Sequence, residues 1–232
     1  FNSFTLKSGD VTVIAKDTDV KGKVIEPVDI GGDVTILGGT MNITGGRSVD
    51  YMSYGMTADG NVTISGGKLS INKVGSSEYT AYALKASGRY TQSAGEVILI
   101  CTDGGSGESG APVSNAGLYV EGNITVNGGE LTATGGSSIS WNRAGICTNS
   151  DFKMTDGVVT ATGGDRSPSS ADYSNTDNSV GLSASNTIEI SGGTLTSRAG
   201  TAKDGSYGIQ QGNKSGRFSI KGGTIKTYAG SA

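Results

Sequence analysis

The stretch ITVNGGELTATGG, residues 124–136, contains the pattern that decides the fold of this chain. Its first three residues alternate between apolar and polar side chains, a Gly pair follows, and Leu131 lies in a second alternating run. Alternation with a period of two predicts strands with one buried face. A Gly pair turns the chain where a Cβ atom would clash. We therefore interpret the stretch as two short strands joined by a tight glycine turn.

Related stretches recur along the whole chain. Gly pairs, or close relatives of them, follow one another at offsets of 30, 28, 28, 34, 28, 36 and 30 residues, and a third short run such as Ala144-Gly145-Ile146 closes each repeat. Three short strands in so few residues leave no room for crossover helices, and such repeats stack into solenoids. The sequence thus predicts an all-β fold, a right-handed parallel β-helix (solenoid) of about eight coils with three short strands per coil, as a single domain over residues 1–232. The turns lie at Ser8-Gly9, Gly38-Gly39, Gly66-Gly67, Ala94-Gly95, Gly128-Gly129, Asp156-Gly157, Gly192-Gly193 and Gly222-Gly223.

Stacking the repeats places apolar side chains in inward-facing columns. One column is expected to contain Val62, Ile124 and Ile188, and three similar columns run beside it. Each coil buries its apolar face only against neighbouring coils, about 4.8 Å away along the axis. Gln92 is the polar member of these columns, and we expect it to have a hydrogen-bond partner inside the protein. A further column, interpreted as boundary core and not as a binding platform, contains Tyr54, Tyr82 and Tyr207.

The composition excludes several classes of function. Gly accounts for 40 of the 232 residues, His is absent, and the net charge is −3. Without His there is no Ser-His-Asp triad, no Cys-His dyad and no His-ligated zinc. The absence of a basic block argues against nucleic-acid binding, and the absence of a run of about 18 apolar residues argues against membrane insertion. Cys101 and Cys147 are compatible with one disulfide, but the sequence does not decide whether they pair.

The quoted stretch, closed by Ala144-Gly145-Ile146, resembles the ITISGGTLTATGG…AGI repeats of bacterial cell-surface and secreted proteins, many of them from Firmicutes. It is also similar to the clostridial-type carbohydrate-binding β-helix family, whose members bind plant polysaccharides and calcium. The resemblance covers residues 5–230 and implies a secreted or cell-surface location and a polysaccharide partner. The family ligates calcium with acidic Asp-Asp-Gly-Ile-like steps, where this chain has Tyr54-Gly55-Met56 and Ala83-Leu84. We therefore predict no cofactor, and calcium stays an alternative without an acidic repeat to support it.

A candidate binding site lies where the longest loops leave the coil. Loops 102–115 and 164–179 leave the same corner, with the shorter loop 136–143 between them, and they outline a notch about 10 Å wide, twice the interstrand spacing. An exposed Trp offers a sugar ring a flat apolar face, Arg binds carboxylates, and Asp and Asn form hydrogen bonds or ligate a hard cation. The alternative is that the Trp packs under its own loop. The predicted ligand-binding residues are Trp141, Arg143, Arg166, Asp165, Asp172 and Asn175, with no catalytic or metal-binding residue.

Two further patterns are interpreted as surface ladders. Glu96 and Glu130 each follow a glycine turn, so we expect them one coil apart, about the separation of the two carboxylates in retaining glycosidases. We favour a charged ladder in which Lys68 neutralises Glu96. Outward Thr residues such as Thr63 and Thr132 form a partial array like those of ice-binding β-helices, but Thr is also a favourable residue on any strand surface.

Taken together, these patterns predict a non-catalytic extracellular or cell-surface β-helix module that binds carbohydrate. The last coil ends without a polar cap, which predicts a segment of a longer secreted protein with further domains. Two alternatives stay open. One is a polysaccharide lyase or hydrolase, since such enzymes share the solenoid although the fold does not carry their chemistry. The other is a structural stalk or adhesin repeat without a small ligand.

Overall fold

The computed structural model describes residues 2–76, 79–103, 114–138, 141–167 and 177–231, and of Trp141 it describes only the backbone. These residues form 22 strands and contain no helix. In chain order the strands are β1 (Ser3–Leu6), β2 (Asp10–Ile14), β3 (Val28–Ile30), β4 (Asp33–Ile36), β5 (Thr40–Thr44), β6 (Arg47–Ser48), β7 (Ser53–Ala58), β8 (Val62–Ile64), β9 (Lys68–Ser76), β10 (Ala81–Ala86), β11 (Tyr90–Gln92), β12 (Glu96–Asp103), β13 (Ser114–Val120), β14 (Ile124–Thr134), β15 (Trp141–Thr148), β16 (Phe152–Thr162), β17 (Asp177–Ala184), β18 (Ile188–Ile190), β19 (Thr194–Arg198), β20 (Gly205–Gln211), β21 (Phe218–Ile220) and β22 (Thr224–Tyr228).

The strands wind into a parallel β-solenoid. Each coil has a first strand before the glycine turn, a second strand after it, and a third strand that closes the coil; β14 and β16 each span the first two positions. The third strands form a seven-stranded parallel sheet in the order β20-β17-β15-β13-β10-β7-β3, and the first and second strands form a fifteen-stranded sheet. The predicted parallel β-helix is therefore confirmed. It has about seven turns, because only β21 and β22 of the eighth repeat form strands within the described residues.

The register of the strands confirms the predicted columns, but in the last coil Phe218 and Ile220 are exposed and do not belong to the core. Val62, Ile124 and Ile188 belong to one line of register partners and are fully buried. Gln92 is fully buried and has the interior partners that we expected. It accepts a 2.8 Å hydrogen bond from the hydroxyl of Tyr90 and donates through Nε2 to the carbonyls of Gly95 and Glu130. These contacts satisfy the polar groups of the side chain within an apolar core.

The glycine turns are required by both conformation and space. The second residue of every pair has a positive φ, as at Gly67 (68°) and Gly129 (78°), a region that favours Gly. A Cβ on Gly129 would lie 2.6 Å from the carbonyl oxygen of Gly95 in the preceding coil. The repeated Gly therefore sets how closely consecutive coils approach.

Polar side chains at the corner before the first strand connect consecutive coils. Oδ1 of Asp33 accepts the backbone N–H of Asn61 at 2.7 Å, and Oδ1 of Asn61 in turn accepts the N–H of Arg89 at 3.0 Å. Asp151 accepts the N–H of Thr187 in the same way at 2.9 Å. These carboxylates and amides satisfy turn N–H groups that the strand ladders leave unpaired.

Candidate functional site

The predicted loop notch is described only in part. Trp141 begins β15 and is in register with Asp177, but its side chain is outside the description. Asp172 and Asn175 also lie outside the described residues. The structure therefore brings together only Arg143, Asp165 and Arg166 of the six predicted ligand-binding residues.

Arg143 lies inside the solenoid and not on its surface. Its side chain is fully buried and forms an ion pair with Asp177, which is also buried. The guanidinium further donates to the carbonyl oxygens of Ser138, Gly164 and Thr201, which belong to three successive coils. Its hydrogen-bonding capacity is thus directed at the protein. A buried guanidinium needs such partners, because an unpaired buried charge is strongly destabilising.

The backbone register explains this placement. Arg143 is in register with Asn115 in β13 and with Ser179 in β17, and both of these partners are fully buried. This column faces inward at the corner that leads into the third strand, where its members are small or polar. An alignment of the repeats predicts the inward position of Arg143, because the residues of this column come directly before the outward position that Ala144 occupies.

Asp165 and Arg166 support the same corner. Oδ1 of Asp165 accepts the N–H of Thr201 at 2.9 Å, and the N–H of Arg166 donates to the carbonyl of Thr201 at 3.0 Å. Nε of Arg166 lies 2.7 Å from Oδ2 of Asp177, an ion pair in which the N–H bond does not point at the oxygen. Two guanidinium groups therefore share one buried carboxylate at this corner.

The carboxylates Glu96 and Glu130 are register partners one coil apart, as predicted. Nζ of Lys68 lies 3.0 Å from Oε2 of Glu96, which confirms the charged ladder. Both side chains of this pair are about 40% exposed, so solvent weakens their attraction. Within the described residues, no group of three or more Asp, Glu, Cys or His side chains is arranged to hold a metal ion.

A different surface carries free hydrogen-bonding groups. The outward side chains of the second strands form two columns, for example Thr132-Thr160-Thr196 and Thr134-Thr162, in continuous register between coils. Rows are about 4.8 Å apart along the axis and columns about 6.8 Å apart along the strand. All members are half-buried, and none of their side chains forms a hydrogen bond with any described residue. We call this surface the hydroxyl–amide face; it consists of Asn42, Thr44, Ser70, Asn72, Thr132, Thr134, Thr160, Thr162 and Thr196.

One apolar row interrupts the hydroxyl–amide face near its middle. Ile98 and Ile100 occupy the row between the Ser70 row and the Thr132 row, and both are half-buried. The face therefore combines hydroxyl and amide groups with an apolar strip on one parallel sheet. The sequence pattern predicted a partial array that includes Thr132 and Thr160 of this face. It did not identify Thr44, Thr196, Asn42 or Asn72, because only the register places them in the same two columns.

The two cysteines are free thiols. Cys101 is buried and donates through Sγ to the carbonyl of Ala116 at 3.1 Å, and Cys147 is half-buried. Burial raises the pKa of the Cys101 thiol to about 12 and that of Cys147 to about 11. Both thiols are therefore protonated and weakly nucleophilic at neutral pH.

Comparison with known proteins adds no assignment. No protein-family model, curated protein or solved structure matches the chain significantly. The described residues include no helix that is long and apolar enough to cross a membrane. The geometry of the solenoid itself is therefore the basis for any functional conclusion.

Proposed function

We propose that this chain is a non-catalytic, secreted or cell-surface β-solenoid module that binds polysaccharide along its hydroxyl–amide face. One observation carries the proposal: nine polar side chains stand in two columns on either side of the row of Ile98 and Ile100, and none of them has a hydrogen-bond partner among the described residues. Sugars offer hydroxyl groups that can both donate to and accept from such side chains. A polymer that follows the solenoid axis would meet a pair of polar side chains in each of four coils, with the row of Ile98 and Ile100 between the second pair and the third.

The apolar row gives this surface its second property. The ring C–H groups of a sugar form an apolar patch, and Ile98 and Ile100 present a matching strip between polar rows. Binding sites commonly combine apolar surface with a few oriented polar groups. The scaffold is preorganised, because the inward neighbours Leu131, Ala133 and Leu195 are fully buried, so little conformational entropy is lost on binding.

Affinity gel electrophoresis on a panel of soluble plant and bacterial polysaccharides tests the proposal. The variant Thr132→Val/Thr160→Val removes two hydroxyl groups and keeps the β-branched shape. Each hydrogen bond contributes about 0.5–1.5 kcal/mol, so the loss of two should lower the affinity by about 5- to 150-fold. The control Thr63→Val/Thr91→Val makes the same change on the outward column of the first strands, where Thr63 and Thr91 are register partners.

The outcomes separate three interpretations. Loss of retention in the face variant alone supports the proposal. Loss in Trp141→Ala with an unchanged face variant would move the site to the loop corner. Retention of no polysaccharide by the parent chain would overturn the proposal and favour a stalk or adhesin repeat. Release of shortened or unsaturated sugars, absent in Glu96→Gln and Glu130→Gln variants, would instead support the enzyme alternative.

A further inference from the structure

Three tyrosine rings form a stack on the outward side of the third strands. Tyr54 in β7 and Tyr82 in β10 are register partners, and their ring centroids are 6.0 Å apart. The ring of Tyr82 lies face to face with that of Tyr119 in β13, at 4.6 Å between centroids and 4° between planes. The register partner of Tyr82 in β13 is the small residue Ala116. The ring of Tyr119, three residues further along β13, contacts Tyr82 across this small side chain.

The stack matches the prediction of boundary core for Tyr54 and Tyr82. Beyond packing, it places the two oxidisable phenol rings of Tyr82 and Tyr119 face to face. Tyr82 is only 8% exposed and Tyr119 is half-buried, and Asn149 donates to the Tyr119 hydroxyl at 2.8 Å. An oxidant in solution therefore reaches Tyr119, and the parallel contact passes the oxidation to Tyr82. Proximity of this kind replaces a bimolecular encounter by an intramolecular one.

We propose that Tyr82 and Tyr119 are a site of oxidative cross-linking, in which a dityrosine bond joins two adjacent coils. A haem peroxidase with hydrogen peroxide supplies the oxidant. Each phenol loses one electron and its hydroxyl proton, and the two radicals couple through a carbon–carbon bond between their ortho carbons. Each ring then moves its ortho hydrogen to the oxygen and becomes aromatic again. The pair loses two electrons and two protons in total. One hydrogen peroxide molecule takes up the two electrons and the two protons and becomes two water molecules.

The intact chain, treated with a haem peroxidase and hydrogen peroxide, tests the proposal. We expect dityrosine fluorescence and, after proteolysis, a peptide pair joined at Tyr82 and Tyr119 with the mass of two hydrogen atoms missing. The yield per chain should not change when the protein is diluted, because both rings belong to one molecule. The cross-linked chain should also unfold at a higher temperature than the untreated chain, since the bond closes a loop between two coils.

Conservative variants separate this pair from other tyrosines. Tyr119→Phe keeps an aromatic ring in the stack and should abolish most of the fluorescence. Tyr51→Phe is the matched control, because the rings of Tyr51 and Tyr79 are further apart, at 5.4 Å, and tilted by 49°. Fluorescence in Tyr119→Phe that equals that of the parent chain would overturn the proposal. Joined peptides that come mainly from Tyr51 and Tyr79, or from two different chains, would also overturn it.

Discussion

Replacement of Gly129 by Ala tests whether the coils stack as closely as the structure shows. A left-handed φ such as the 78° of Gly129 costs an L-residue about 1–2 kcal/mol. The added Cβ would also lie 2.6 Å from the carbonyl oxygen of Gly95 and 2.7 Å from the carbonyl carbon of Ala94. Relieving such contacts requires a backbone shift, and overpacking of this kind costs about 1–3 kcal/mol. The free energy of unfolding should therefore fall by about 2–5 kcal/mol.

Gly9 provides the matched control for this experiment. It occupies the same turn in the first coil, with a φ of 84°, but a Cβ there would meet no atom within 4 Å, because no earlier coil precedes it in the described residues. Gly9→Ala should therefore lower the free energy of unfolding only by the cost of the left-handed φ, about 1–2 kcal/mol. Urea unfolding followed by far-ultraviolet circular dichroism measures both variants, provided that their slopes against urea agree. Equal losses in the two variants would refute the close stacking of coils.

Three further predictions concern the interior. Arg143→Met should lower the free energy of unfolding by about 3–5 kcal/mol in urea titrations, because it leaves the buried carboxylate of Asp177 without its main partner; a neutral effect would show that the guanidinium is not buried. Gln92→Leu should cost about 1–3 kcal/mol by leaving the Tyr90 hydroxyl unpaired, and the same substitution in a Tyr90→Phe background should cost less. Burial raises the pKa of the Cys101 thiol from 9.0 to about 12. The stability that the protonated thiol contributes is therefore fully present below pH 9 and is lost as the pH rises through 12. Cys101→Ala should therefore reduce the loss of stability between pH 9 and 12 in urea titrations across that range.

The repeat architecture was predictable because few folds are compatible with short alternating runs and glycine turns that recur along the whole chain. Once Gly67 and Gly95 are aligned, a slip of one residue would move every apolar side chain to the outside, so the register follows from the sequence. The loop corner was not predictable in the same way. Arg143 was assigned to the short loop 136–143 between two long loops, which favoured a surface role, whereas its column position gives it buried partners. Partners such as Asp177 come from other coils, and only the folded chain shows that they meet.

The structure also separates two kinds of polar residue that look alike in the sequence. Asp33 and Asn61 at the corner bind backbone N–H groups of the next coil, so their role is to hold the solenoid together. Asn42 and Asn72 on the hydroxyl–amide face make no such bond within the described residues. Propensity accounts for Thr on a strand surface, but it does not account for Asn, which is depleted in strands.

Replacement of these two face residues should therefore raise stability at the expense of binding. Asn42 and Asn72 lie in β5 and β9, which have strand neighbours on both sides. Asn42→Thr/Asn72→Thr should increase the free energy of unfolding by up to about 1 kcal/mol per site, because Thr suits a pleated surface better. The same variant should bind polysaccharide more weakly, since two amide groups that both donate and accept are lost. Such an exchange of stability for function is typical of binding surfaces. Urea titration and affinity gel electrophoresis on the same preparation measure both effects. A gain in stability with unchanged retention would indicate that the two Asn residues take no part in binding.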